Sequence, residues 1–142
     1  MIKSRSLLSA ACLLCVLLSI MSARADEGAE KKAVSASRDW LALVDSEKYA
    51  ESWERAAGYF KNAVAKEQWE QSLRGARKPL GKVIQRKLKS KQYTKSLPGA
   101  PDGEYVVIQY ETSFANKGAA IETITPMLDQ DGKWRVSGYY IR

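Results

Sequence analysis

The chain has 142 residues, 23 Lys and Arg against 16 Asp and Glu, a formal charge of +7, two cysteines and no histidine. That length suits one domain with a single core. Without histidine, neither Ser-His-Asp nor Cys-His catalysis is available, and the commonest metal ligand is missing.

Residues 1–25 read as an export signal: Lys3 and Arg5, an uncharged run from Leu7 to Met21, then Ala23-Arg24-Ala25 as a cleavage site. The run of 15 residues falls short of the roughly 20 that a spanning helix needs, which disfavours a membrane anchor. Lipoprotein processing at Cys12 is disfavoured because Ser9-Ala10-Ala11 lacks the upstream leucine and the apolar run continues past the cysteine. The expected destination is the bacterial periplasm or the exterior. Cleavage after Ala25 removes Cys12 and Cys15, so no disulfide is expected, and loss of Lys3, Arg5 and Arg24 lowers the charge from +7 to +4.

Residues 26–32 read as a flexible polar lead-in, and 33–142 as one domain. Ala33, Ser37, Trp40, Leu41 and Val44 lie at helical spacing, with Asp45 and Ser46 able to end that helix and cap the next. Tyr49, Trp53, Ala56, Ala57 and Phe60 mark a second helix, which Gly58 can bend or end. Trp69, Leu73, Ala76 and Leu80 mark a third, stopped by Pro79 and Gly81.

From Val83 the pattern is that of strands: Val83 to Tyr93, Glu104 to Phe114, Ala119 to Asp129 and Lys133 to Arg142. The turn-rich Leu97 to Gly103 follows the first, and the short turns at Asn116-Lys117-Gly118 and Gln130-Asp131-Gly132 make the others antiparallel neighbours. Val106, Ile108, Tyr110 and Phe114 share a face, as do Trp134, Val136 and Tyr140. The expected fold is α+β, three N-terminal helices packed on one face of a curved antiparallel sheet of about four strands.

Four stretches, DWLALVDSEKYAESW (39–53), WEQSLRGARKPLG (69–81), LPGAPDGEYVVIQYETSF (97–114) and ETITPMLDQDGKWRVSGYYIR (122–142), resemble the bacterial domain-of-unknown-function family 4019. The resemblance implies a cone-shaped fold of the cystatin-like, nuclear-transport-factor-2-like kind, able to enclose a pocket, and implies no activity. Gln85 departs from the family pattern, which favours a small hydroxyl residue before Arg86.

Candidate ligand-pocket residues are Trp40, Tyr49, Trp53, Trp69, Tyr110 and Tyr140, with core packing as the competing explanation. Glu122 shares its alternation with Ile124 and Leu128. Buried without a partner, it would serve as a general base, and paired with Arg135 or another basic residue it would be structural. Glu111 is the second, weaker catalytic candidate, with Arg142 a possible cross-strand partner. Asp129, Asp131 and Gly132 suit a hairpin better than a calcium loop, and no metal or cofactor is expected.

Between Glu70 and Asp102 there is no acidic residue, whereas Arg74, Arg77, Lys78, Lys82, Arg86, Lys87, Lys89, Lys91 and Lys95 supply nine positive charges. On a strand, Lys87, Lys89 and Lys91 beside Arg86 would form a basic stripe, facing an anionic envelope component or guarding a sheet edge. Nucleic acid is not an expected partner of an exported chain. Three functions follow: a non-enzymatic ligand- or partner-binding domain, with self-pairing through its sheet face as one option, an isomerase or dehydratase using Glu122 or Glu111, or an adaptor docking through residues 74–95.

Overall fold

The computed structural model describes the backbone of residues 7–142 and the side chains from Ala23 onward, so residues 1–6 of the expected leader lie outside the described residues. The chain runs α1 (Leu7–Asp45), α2 (Tyr49–Glu54), α3 (Gly58–Ala63), α4 (Lys66–Arg77), a 3-10 turn (Lys78–Leu80), then β1 (Val83–Thr94), β2 (Tyr105–Phe114), β3 (Lys117–Leu128) and β4 (Trp134–Ile141). The strands form one antiparallel meander in the order β1-β2-β3-β4, with the helices on one face. Among the described residues no helix is long and apolar enough to cross a membrane.

α1 carries the expected stripe. Ala33, Val34, Ser37, Trp40, Leu41 and Val44 are buried against Val106, Ile108, Tyr110, Ile124 and Val136 of the sheet. Ser37 is tolerated inside because its hydroxyl donates to Val34 O (2.8 Å) and lies 2.7 Å from the Tyr110 hydroxyl. Residues 26–32, expected as a lead-in ahead of the first helix, are part of α1, where Glu27 pairs with Lys31 and Glu30 with Lys91.

The expected second helix is two. After Glu54 the Ala57 N–H donates to Val136 O of β4 (2.8 Å) and the Gly58 N–H to Asp129 Oδ2 (3.2 Å). These tertiary bonds replace helical ones, so the chain bends with Ala56 and Ala57 fully buried and restarts as α3. Gly58 therefore opens the second piece rather than closing the first.

Four register shifts interrupt the sheet, and two of them matter most for which side chains face the helices. In β1 the register skips between Leu88 and Ser90, leaving Lys89 as an extra residue. In β4, Pro126 pairs with Val136 but Thr125 with Gly138, so Ser137 is extra, and Val136 and Tyr139 both face the helices. Tyr140, expected on the apolar face, is turned out and 55% exposed. β3 also begins earlier than expected: Phe114 pairs with Lys117, which makes Ala115-Asn116 a two-residue hairpin. Gly81 precedes β1 at φ 74°, where a Cβ would meet Ala115 Cβ at 3.1 Å.

Candidate functional site

Glu122 sits mid-way along β3 on the helix-facing side, opposite Tyr110 in the register, with no exposed surface. A buried carboxylate requires compensation, and four donor contacts supply it. Arg86 Nε and Thr112 Oγ1 each donate to Oε2 at 2.6 Å, while Tyr139 OH (2.6 Å) and Arg86 Nη2 (3.1 Å) donate to Oε1. Two oxygens with about four acceptor sites are thereby filled.

The same arginine serves a second acid. Arg86 Nη1 and Nη2 donate to Asp45 at the end of α1, at 2.7 and 3.0 Å. Arg77, at the end of α4, adds a bond from Nη2 to Asp45 Oδ1 (2.8 Å) and one from Nη1 to the Tyr139 hydroxyl (3.3 Å), with its guanidinium 5.0 Å from the Phe114 ring centre. Two acids and two arginines balance formally, and they tie α1 and α4 to all four strands. Arg77 Nε has no hydrogen-bond partner.

Electrostatics follow from this geometry. Burial alone would raise the Asp45 carboxyl, but the hydrogen bonds from Arg86 and Arg77 outweigh it and hold the group below its ordinary value. Burial would likewise lower both guanidiniums, and their acidic and tyrosine neighbours instead hold them above the ordinary value. Burial, then the charge of Glu122, pushes the Tyr139 hydroxyl up, which keeps it a donor.

The partner of Glu122 is thus Arg86 rather than Arg135. Arg135 stays in the β3–β4 hairpin, bonding Asp131 (2.7 Å to each oxygen) and Asp129 (3.2 Å), with Gly132 at φ 78° closing the turn. Glu111 lies on the opposite side of the sheet, 56% exposed and 3.3 Å from Lys89 Nζ. Glu111, Arg142, Lys87 and Gln85 line a shallow groove of about 420 Å³ there.

The expected basic stripe is divided. Arg86 points inward to Glu122, Lys87 and Lys89 point outward, and beyond the bulge Lys91 turns to the helix side, 3.0 Å from Glu30. A continuous stripe would need unbroken alternation, which the extra residue Lys89 interrupts.

The aromatic candidates separate into two groups. Trp40, Tyr49 and Tyr110 are core: the Trp40 indole donates to Ser52 O (2.8 Å), and Tyr110 meets Ser37. Trp53 is half-buried, its indole bonded to Val64 O (2.7 Å). Trp69 is held by its bond to Ser52 Oγ (3.0 Å) and by edge-on contact with Phe60 (4.9 Å). Trp69 also lines a cleft of about 380 Å³ between α4 and β4, together with Leu73, Ala76, Leu80, Lys117, Tyr139, Tyr140 and Ile141.

Sequence reading missed Asp45, Arg77, Thr112 and Tyr139 as members of one cluster. A signal for Arg77 was present, since Trp69, Leu73 and Arg77 follow each other at i+4 and put a cation on the buried stripe of α4. A model of the family described as "Protein of unknown function (DUF4019)" matches residues 36–139. No curated protein matches the chain.

Proposed function

The chain belongs to the DUF4019 family, and we propose that it is an exported, non-enzymatic domain of the bacterial envelope that binds a ligand or partner segment in the α4–β4 cleft. The observation that carries this reading is the contrast between Glu122, whose oxygens are filled by Arg86, Thr112 and Tyr139, and the neighbouring cleft, where Trp69 and Leu73 form a buried floor and Ala76, Leu80, Tyr140 and Ile141 keep surface open to solvent. A carboxylate with every acceptor site filled, and with arginines beside it, is poorly placed to take a substrate proton. Glu111 faces solvent beside Lys89, which offers no enclosed site for isomerase or dehydratase chemistry.

An adaptor role for residues 74–95 has less support, because Arg77, Arg86, Lys89 and Lys91 are all engaged in ion pairs within the chain. The cleft has the size and apolar character of a small-ligand site. Export is supported by the charged start, the short apolar run and the Ala23-Arg24-Ala25 site. The sheet face opposite the helices is the surface left for self-pairing.

Native mass spectrometry of the protein purified gently from its own envelope fraction tests the whole reading. A mass lacking residues 1–25 and carrying a bound small molecule or second chain is the expected result. Recovery as an uncleaved, unliganded chain in the cytoplasmic fraction would overturn it.

A further inference from the structure

The α4–β4 cleft has a charge pattern that narrows its ligand, if the binding role proposed above is correct. Its floor is Trp69 and Leu73, its sides are Ala76, Leu80 and Ile141 with Ser72, Tyr139 and Tyr140, and among its lining residues the one charged group is Lys117, with no carboxylate among them. Lys117 forms no ion pair among the described residues, whereas Lys66, Lys89 and Lys91 each hold an acid within 4 Å. An apolar slot with a single unspent cation at its edge complements an apolar chain with a single anionic end.

Size limits the choice further. At about 30 Å³ per water-sized group, 380 Å³ admits roughly a dozen heavy atoms, enough for one short alkyl chain and too few for a two-chain lipid. We infer that the cleft binds a single-chain amphiphilic carboxylate of the fatty-acid class, its chain against Ala76, Leu80 and Ile141 above the floor of Trp69 and Leu73, and its carboxylate at Lys117. The tail contributes burial of apolar surface, and the lysine selects the head group.

Displacement of carboxyl-13C-labelled octanoate, a probe of about ten heavy atoms that fits the cleft, from the full chain by decanoate, decanol and decyltrimethylammonium, followed by NMR, tests this. Decanoate should displace the probe at roughly 1.5- to fivefold lower concentration than decanol, the range of an exposed ion pair, and the cation should be weakest. Lys117→Gln should bring decanoate and decanol level while Lys133→Gln, in the distant hairpin, keeps the order. Ala76→Trp, which fills the cleft, should abolish probe binding. Equal displacement by decanoate and decanol in the unaltered protein would overturn the carboxylate inference and leave a cleft that binds apolar chains. Failure of the probe to bind, or binding untouched by Ala76→Trp, would overturn the cleft as a binding site altogether.

Discussion

Tyr139 divides two regions that differ in how their polar groups are used. Its hydroxyl end lies in the cage of Glu122, Arg86, Asp45 and Arg77, while its ring also borders the α4–β4 cleft. In the cage, charge is matched by charge at 2.6 to 3.1 Å, both carboxylates are filled, and the one unpartnered donor, Arg77 Nε, is buried. In the cleft, Lys117 has no ion-pair partner among the described residues and the lining is mostly apolar. A buried charged residue is thus a weak indicator of function by itself, and what decides is whether its partners are already present.

The sharpest way to break this contrast is to remove the acid at the centre of the cage. Glu122→Ala leaves Arg86 without its buried partner and should lower stability by about 3–5 kcal/mol in urea denaturation. The double variant Arg86→Met/Glu122→Leu should recover much of that loss, because no uncompensated charge remains. A double variant no more stable than Glu122→Ala would show that the cage contributes more than charge matching.

Tyr139→Phe separates the regions more finely. It deletes the donor to Glu122 and a partner of Arg77 but keeps the ring that borders the cleft. A loss of about 1–3 kcal/mol with probe binding retained is expected, and loss of binding at unchanged stability would reverse the roles assigned to the two ends.

Asp45 gives the cage a pH signature. Its carboxyl is held below the ordinary value, so its contribution is full above the unfolded-state value near 3.8 and is lost as pH falls through the lower folded value. Asp45→Asn should therefore flatten the acid limb of the stability–pH curve, measured as Tm between pH 6 and pH 2, relative to the unaltered protein. An unchanged limb would place the acid sensitivity elsewhere. The smallest effect belongs to the sheet's outer face: Lys89→Gln removes an exposed pair with Glu111 and should change stability by less than about 0.5 kcal/mol.

Much of the fold was legible in the chain because local periodicity carries it. The stripe from Ala33 to Val44, the alternation of β2 and the turn at Asp131-Gly132 each imprint a pattern on nearby residues, and the α+β meander follows from their order. The site was less legible. Arg86 reaches Glu122 from two strands away, and Asp45 joins them from the end of α1, contacts that no spacing rule encodes.

The sequence by itself determined the helix-then-strand order, the apolar stripe that carries Leu41 and Val44, and the lack of histidine chemistry, and it left Glu122 open between a partnerless base and a paired structural acid. Tertiary structure alone decided which partner, because Arg86 and Arg135 were equally basic on paper and only the register of β1 against β2 and β3 sets their reach. It also decided, through one extra residue in β1 and one in β4, that Lys91 and Tyr139 face the helices while Tyr140 faces out. The physical reason is that alternation is a local rule, whereas a bulge is placed where bonding to the neighbouring strand and packing under the helices are satisfied together.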